Sequence, residues 1–289
     1  MIKIEHIQKA FLAKQVLRDV TFEVEEGSIY GLIGKNGAGK TTLMKIMTNL
    51  LTADGGSCVF EKEKKPLSVG YLPDLPEFYD YLTTDEYLDY LLFDQNPIRR
   101  DKLLSLVSLP KGVRIKTMSR GMRQRLGIAA VLVGNPDVIL LDEPTSALDP
   151  AGRSDVKRIL LDLKKSGKTI LLSTHILADM DTICDKAGFL HEGTIVKEVM
   201  LREQREQAAG LIVRFAGDVE EENKETLLAG MGCDSKWQDA HTLRILFDPK
   251  DPIGSQKQIL SVLSETDLRI ASIGSAVKTL DQIFREVCL

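Results

Sequence analysis

The sequence predicts an α/β protein with a mostly parallel β-sheet, a helical insertion and a small C-terminal α+β domain. Three observations support this. Apolar stretches with the pattern of strands recur along residues 1–200 and are separated by segments with helical spacing. Strands that alternate with helices are typical of a parallel sheet covered on both faces. After about residue 200 the pattern changes to shorter strands and helices.

Five segments in the first 200 residues are predicted strands. "MIKIEHI", "VTFEVEE" and "SIYGLIG" alternate, whereas "DVILLD" and "KTILLST" are continuous apolar runs. Between the last two, "AGRSDVKRILLDLKKSG" has helical spacing, with Pro150 before its start and Gly167 near its end. Residues 84–134 hold three helical segments with no clear strand between them. We therefore predict a helical subdomain over about residues 75–135.

Residues 201–289 are predicted to form a separate accessory domain. The polar stretch "MLREQREQAAG" is the predicted connecting helix. After it the order is strand, helix, strand, strand, helix, strand and a final helix. The order βαββαβ is that of a ferredoxin-like α+β domain.

The amino-acid composition argues against a membrane-spanning, secreted or nucleic-acid-binding protein. The chain is 43% hydrophobic and 28% charged, which is ordinary for a soluble globular protein. We expect neither a membrane span nor a signal peptide, because no long apolar run occurs. The four cysteines are far apart, which suits a reducing cytosol. Residues 201–289 hold 11 Lys+Arg against 15 Asp+Glu, and residues 1–200 hold 27 of each, so we expect no basic tail that binds nucleic acid.

The segment "GKNGAGKT" predicts a phosphate-binding loop. It matches GxxxxGK[ST] at every fixed position, follows the apolar strand "IYGLI" and precedes the helix "TLMKIMTNLL". Its glycines allow successive N–H groups to point into one concavity, to which the helix N-terminus adds positive charge. Lys40 would contact the terminal phosphates, and the Thr41 hydroxyl would bind Mg²⁺. The predicted nucleotide-binding residues here are Gly34, Lys35, Asn36, Gly37, Ala38, Gly39, Lys40, Thr41 and Thr42.

Two later strands end in predicted catalytic residues. "VILLDEP" ends in Asp142, placed to orient Mg²⁺ through its water shell, and Glu143, placed to polarise the attacking water as general base. The alternative for this pair is a helix-capping acidic turn. His175 ends "KTILLST" and would contact the γ-phosphate beside Asp142, unless it is only a polar strand terminus. Together with Lys40, Glu143 and His175 form the predicted catalytic set.

These motifs in this order resemble the ATP-binding subunit of ABC transporters. "GKNGAGKT" corresponds to the family's Walker A loop, "VILLDEP" to Walker B, "SALD" to the D-loop and the histidine of "STH" to the switch histidine. The resemblance covers about residues 1–200. It implies a P-loop NTPase core with an antiparallel β subdomain and a helical subdomain, and it implies ATP and Mg²⁺ as ligands.

The family's signature, usually LSGGQ, lies just before Walker B, where this chain has "MSRGMRQR". Ser119 and Gly121 match, while Arg120 and Met122 replace the first glycine and the glutamine. In the family two domains dimerise head to tail, with each ATP between one P-loop and the other signature. The resemblance therefore implies that these four residues contact a partner's nucleotide, at the start of a helix that is otherwise buried.

Two further positions are implied by the same resemblance. Phe11 stands where the family has an aromatic ring that stacks on adenine, with core packing as the alternative. "GYLPDLPEFYDYLT" resembles the Q-loop, with Asp74 in place of glutamine, and this carboxylate can accept a hydrogen bond from metal-bound water. Phe78, Tyr79 and Tyr81 follow, and they are either core residues or a docking surface for a membrane subunit.

The end of the chain, "VKTLDQIFREV", resembles the closing helix of ATPases that serve drug, bacitracin and lantibiotic exporters. The resemblance implies a second ATPase subunit, either identical or a sister chain. It also implies a permease on a separate chain and a peripheral location on the cytoplasmic face of the membrane. The alternatives are a soluble ABC ATPase acting on nucleic acid or in iron–sulfur assembly. The chain lacks the long coiled coils, zinc motifs or second ATPase domain that nucleic-acid ATPases of this family usually need.

Overall fold

A computed structural model describes residues 1–12, 14–63, 65–94, 96–146, 148–201, 210–248, 250–276 and 279–288. The chain forms two compact units, one of residues 1–199 with 284–289 and one of residues 200–283. The predicted connecting helix, "MLREQREQAAG", falls almost entirely outside the described residues.

The first unit is built on one ten-stranded sheet. Its strands are β1 (Ile2–Phe11), β2 (Lys14–Val24), β3 (Ile29–Ile33), β4 (Gly55–Lys62), β5 (Lys65–Pro66), β6 (Val69–Leu72), β7 (Val138–Asp142), β8 (Thr169–Thr174), β9 (Lys186–His191) and β10 (Thr194–Met200). The spatial order is β5-β4-β1-β2-β10-β9-β3-β8-β7-β6. Strands β6, β7, β8, β3 and β9 pair in parallel, whereas β1, β2, β4 and β5 pair antiparallel. The predicted mostly parallel sheet and its antiparallel part are confirmed.

The helices of this unit include the predicted insertion. They are α1 (Lys40–Met47), α2 (Thr84–Leu91), α3 (Pro97–Leu106), α4 (Arg120–Leu132), α5 (Pro150–Lys165) and α6 (Leu177–Ile183). Helices α2 to α4, with a short 3₁₀ turn at Ile115–Thr117, lie between β6 and β7 in the chain. Polar residues before α2, α3 and α4, namely Thr83, Asn96 and Ser119, accept hydrogen bonds from first-turn amides. No helix in the described ranges is long and apolar enough to cross a membrane.

The central strands place the functional loops. Every residue of β3, β7 and β8 is buried. Side chains of these strands pack against α1, for example Leu32 and Leu140 against Leu43 and Met44. Because the strands are parallel, their carboxyl ends lie along one edge of the sheet, and ligands bind at that edge in open α/β sheets.

The second unit is a smaller α+β structure. Its elements are β11 (Gly210–Phe215), α7 (Glu221–Met231), β12 (Ser235–Trp237), β13 (Thr242–Leu246), α8 (Pro252–Ser264), β14 (Ile270–Ser275) and the start of α9 (Leu280–Cys288). The sheet order is β12-β13-β11-β14, and all three pairs are antiparallel. The predicted order βαββαβ and its ferredoxin-like arrangement are confirmed. The last turn of α9, from Phe284, groups with the first unit.

Candidate active site

The loop between β3 and α1 needs its glycines. Gly37 and Gly39 have φ angles of 83° and 109°, in the left-handed region that side chains disfavour. A Cβ on Gly39 would also lie 2.6 Å from Cδ2 of Leu17. The loop can therefore turn tightly over β2 and expose backbone amides at the start of α1.

Lys40 is held inside this loop. Only 6% of the residue is exposed. Its Nζ donates to the carbonyl oxygens of Gly34 at 2.7 Å and Lys35 at 3.3 Å. The same Nζ lies 3.4 Å from Oε1 of Glu143. The ammonium group is thus fixed in place by backbone and by one buried carboxylate.

Glu143 and Asp142 are organised by Ser173, which sequence reasoning did not single out. Glu143 has a φ of 51°, and its amide donates to the carbonyl oxygen of Ser173 at 3.2 Å and to Oγ at 3.0 Å. Oγ of Ser173 in turn donates to Oδ1 of Asp142 at 2.6 Å. The pairing of Asp142 with Ser173 on neighbouring parallel strands makes this possible, and no local sequence pattern signals it.

His175 continues the same network. Its Nδ1 lies 2.9 Å from Oε2 of Glu143, so an Nδ1–H tautomer donates to the carboxylate. Glu143 is therefore held between Lys40 and His175. Oδ2 of the fully buried Asp142 and Oε1 of Glu143 accept no hydrogen bond from any described residue. Oε1 of Glu143 faces the Lys40 ammonium at 3.4 Å, so of the two it is Oδ2 of Asp142 that leaves a place for a cation or its water.

A cleft of about 480 Å³ lies over this loop. It is lined by Phe11, Val16, Asn36, Gly37, Gly39, Lys40, Thr41, Thr42, Asp74 and Glu143. Phe11 is 45% exposed, so it is not a core residue. Burial raises the pKa of Asp74, with further contributions from the charges of Asp142 and Glu143 and opposing ones from Arg120 and Ser146. Val16 is a lining residue that sequence reasoning missed.

Other predicted residues lie outside the lining of this cleft. Gly34, Lys35 and Ala38 belong to the loop but do not line the cleft. Asp142 and His175 do not line it either: His175 contacts Glu143, which does, and Ser173 links Asp142 to Glu143 by hydrogen bonds. The signature residues lie at the start of α4, where Oγ of Ser119 accepts from the amide of Met122 at 3.2 Å. Neither these two nor Arg120 and Gly121 line the cleft.

Comparison with known proteins identifies this arrangement. The protein-family model for ABC transporters matches residues 17–146. An uncharacterized ABC transporter ATP-binding protein, sll0415, from Synechocystis is 34% identical over 284 residues, which covers 93% of this chain and 77% of the relative. The chain belongs to the ABC transporter ATP-binding protein family. This ABC protein therefore binds ATP and is an ATP hydrolase.

Two more comparisons extend the likeness. The lantibiotic transport ATP-binding protein SrtF of Streptococcus pyogenes is 34% identical to this ABC chain over 206 residues, covering 68% of this chain and 90% of SrtF. A solved ATP-binding cassette, described as dimeric and bound to ADP and Pi, is 22% identical with a TM-score of 0.63, covering 70% of this chain and 99% of that one. The second likeness shows the ABC cassette fold.

Proposed function

We propose that this ABC ATPase drives an exporter, through a dimer that closes on ATP and reopens after hydrolysis. The observation that carries the proposal is the separation of the signature from the cleft. At the start of α4, Ser119 and Arg120 are exposed, Gly121 and Met122 are half-buried, and none of the four lines the cleft of the same chain. A second chain placed head to tail would bring its signature to the nucleotide, as the family resemblance implies.

The residues in the cleft support a division of roles. Lys40 binds the terminal phosphates through its ammonium, and the loop amides with the start of α1 bind the remaining oxygens. Glu143 takes a proton from the water whose oxygen attacks the γ-phosphorus. The bond between the γ-phosphorus and the oxygen that bridges to the β-phosphate breaks, and ADP leaves. His175 orients Glu143 and contacts the γ-phosphate. Phe11 offers its exposed ring to the adenine.

The donor set fits Mg²⁺. Thr41 lines the cleft, and Asp142 has a buried oxygen without a hydrogen-bond donor among the described residues. Within those residues no group of three or more His, Cys, Asp or Glu side chains forms a metal cage. This suits Mg²⁺, which binds through one or two carboxylates together with substrate phosphates. We assign it to Thr41 and Asp142, with Asp74 as a water ligand, where it would neutralise developing phosphate charge.

An exposed aromatic cluster supports a permease contact. Tyr79, Tyr81 and Tyr90 are 46%, 67% and 66% exposed. Ring centroids lie 5.8 Å apart for Tyr79 and Tyr81, and 5.7 Å apart for Tyr79 and Tyr90. Phe78 packs against Tyr87 beneath them. Exposed rings of this kind suit a docking surface better than a core. The permease would hold the ATPase domain, residues 1–200, at the cytoplasmic face of the membrane, with residues 201–289 as an accessory domain.

The variant Glu143→Gln tests the chemistry. It keeps the size of the side chain and removes the base, so ATP affinity should change less than 3-fold while turnover falls at least 100-fold. The trapped ATP-bound dimer should appear by size-exclusion chromatography. Glu225→Gln, on the exposed side of α7, is the matched control and should behave as the wild type. Unchanged hydrolysis in Glu143→Gln would remove this residue from the base role.

The transport role has a separate test. We expect the purified chain to associate with a co-encoded polytopic membrane protein, and its ATPase rate to change on association. Tyr79→Ala with Tyr81→Ala should weaken that association and leave the basal ATPase rate of the free chain unchanged. A chain that dimerises on ATP but binds no such membrane protein would contradict coupling to a permease.

A further inference from the structure

The sheet of the second unit has one covered and one open face. Helices α7 and α8 cover the first face, where Val213 and Leu243 pack against Leu227 and Ile259. Because successive residues of a strand point to opposite faces, the residues between these core positions belong to the other face.

Basic side chains gather on the open face. Lys236 of β12 is paired directly with Arg244 of β13, and Arg244 is paired with Ile212 of β11. Arg214 follows two residues along β11 and therefore shares the same face. Lys236, Arg244 and Arg214 are all exposed. Three neighbouring strands thus each contribute one cation to one surface.

This concentration runs against the charge of the segment. Residues 201–289 hold 15 acidic and 11 basic residues, yet β11, β12, β13 and β14 contain no Asp or Glu. Among the described residues, no carboxylate forms an ion pair with any of the three cations. Like charges directly opposite one another on antiparallel strands are unfavourable. An anion on this face would relieve the repulsion between Lys236 and Arg244.

A cavity of about 250 Å³ is lined by one of these cations, Arg214. Its lining includes Ile212, Arg214, Ser272, Gly274, Thr279 and Gln282. Gly274, in register with Ile212, would have no atom within 4 Å of an added Cβ, so the space above it is open. The cavity offers the guanidinium of Arg214 and hydroxyls of Ser272, Ser275 and Thr279, beside the apolar side chains of Ile212 and Ile273.

We propose that this open face binds a phosphate-bearing ligand, with Arg214 at the cavity and Arg244 and Lys236 beside it. A guanidinium binds phosphate through two parallel hydrogen bonds, and a lysine ammonium acts as a further point charge. The cations span three strands, or about 10 Å at the usual strand spacing. This width suits a ligand with two phosphates or a phosphate with a polar body, and Ile212 suits its apolar part. The source is either an anionic lipid headgroup or a soluble phosphorylated molecule.

Calorimetry with pyrophosphate and co-sedimentation with vesicles measure binding directly, and the single tryptophan, on the covered face of the sheet, gives an indirect optical readout. Trp237 follows Lys236 on β12, and its ring lies 5.5 Å from that of Phe215. We would titrate the full-length protein with inorganic pyrophosphate in one arm and with phosphatidylglycerol vesicles in the other. Trp237 fluorescence would be followed in both arms, and phosphatidylcholine vesicles give the uncharged comparison. Saturable binding to pyrophosphate that depends on the arginines of this face indicates a soluble ligand, and such binding to charged vesicles alone indicates a headgroup.

The variant Arg214→Gln with Arg244→Gln decides the assignment. It should raise the Kd of the binding arm at least 10-fold. The control Lys250→Gln with Lys257→Gln removes the same charge from exposed positions before and on α8, and its Kd should stay within 2-fold. Because pyrophosphate can also enter the cleft at Lys40, only the difference between the two pairs counts. If the arginine pair misfolds by circular dichroism, Lys236→Gln on the short strand β12 replaces it, with an expected 3-fold rise.

Three outcomes would overturn the proposal: no binding in either arm, binding retained by the arginine variant, or equal losses in both pairs. The proposed exporter role does not depend on this face, so its own tests at Glu143, Tyr79 and Tyr81 stand apart.

Discussion

Ser173 joins the two acidic residues of the active site without belonging to any motif. Its hydroxyl donates to Asp142 and accepts from the Glu143 amide. We expect Ser173→Ala to lower the free energy of unfolding by about 1–3 kcal/mol, because Oδ1 of a fully buried Asp142 would lose its donor. Glu143 would also lose one of the bonds that fix its backbone. We therefore expect the ATPase rate to fall about 10-fold.

The measurements are urea unfolding and steady-state hydrolysis. Ser166→Ala is the matched control, because its hydroxyl donates to the carbonyl oxygen of Leu163 at the end of α5. That variant should lose some stability and keep the wild-type rate. Full activity in Ser173→Ala would show that the bonds from Ser173 do not position Glu143.

Sequence patterns predicted some residues of this site and missed others. Lys40, Asp142 and Glu143 stand in contiguous motifs, so the local sequence was enough to predict a role for them. Ser173 lies 31 residues after Asp142 and meets it only because β7 and β8 pair in one register. The ion pair between Lys40 and Glu143 depends on a further pairing, that of β3 with β8. No local pattern encodes such a contact.

At the scale of single elements, Ser119 at the start of α4 has two roles that experiments can separate. It caps the helix, and we propose that it contacts the nucleotide of a partner chain. Ser119 caps the helix through the Met122 amide, and a lost cap costs about 1 kcal/mol. We expect Ser119→Arg to abolish most ATPase activity while nucleotide still binds to the cleft of the same chain. Hydrolysis and fluorescent-nucleotide binding measure the two effects.

The first turn of α3 supplies the control. Asn96 caps that helix by accepting from the amides of Ile98 and Arg99. Asn96→Arg should cost a similar stability and leave hydrolysis intact. Equal activity losses in the two variants would mean that any weakened cap in the helical insertion impairs the enzyme.

Elements with a strong local period were predicted well, but strands β4, β5, β6, β9 and β10 were not predicted. No strand was predicted at β6, because Gly70 and Pro73 interrupt the apolar pattern of its sequence. The structure explains Gly70: a Cβ there would lie 2.6 Å from Cγ1 of Val131 and 2.8 Å from Cγ of Pro136. The glycine permits close packing of β6 on α4, which its usual meaning as a strand breaker obscures.

At the scale of the whole molecule, the proposed dimer should allow two inactive chains to complement each other. Lys40→Ala damages a P-loop and Ser119→Arg damages a signature. In a head-to-tail heterodimer both defects fall on one composite site and leave the other intact. We expect a mixture to regain up to about one quarter of wild-type activity, provided that one intact site suffices and half of the dimers are mixed.

Activity against protein concentration supplies the companion measurement. At low concentration the wild-type rate should rise with the square of concentration, because each site needs two chains. Demonstrated chain exchange without recovery would contradict either independent firing or the trans placement of the signature. A rate strictly linear in concentration from a monomeric chain would exclude the composite site.

The sequence predicted a mostly parallel sheet and an antiparallel subdomain. It did not predict that both belong to one ten-stranded sheet. The order of ten strands depends on β2 meeting β10, where Thr194 pairs with Asp19 across 175 residues of chain. Local periodicity carries no information on such partners. The small unit was easier to predict, because its strands and helices follow one another in a familiar order.

The grouping of residues 284–289 with the first unit has a consequence for stability. Phe284 lies with its ring centroid 6.4 Å from that of the fully buried Phe189, and Cys288 is 3% exposed. A chain ending at residue 283 should therefore lose about 2–4 kcal/mol from the unfolding of the first unit. Differential scanning calorimetry can follow this transition, and the exposed substitution Arg285→Gln offers a control in full-length protein. An unchanged transition in the shortened chain would show that the last turn contributes nothing.

During translation, a ribosome releases the first 199 residues long before the final turn that completes their unit. The nascent ATPase core must therefore wait, with the surface around Phe189 still open, until the codons for residues 284–289 have been read. A stop codon at position 284 would leave a protein that has every sequence motif of the nucleotide site and an unfinished core.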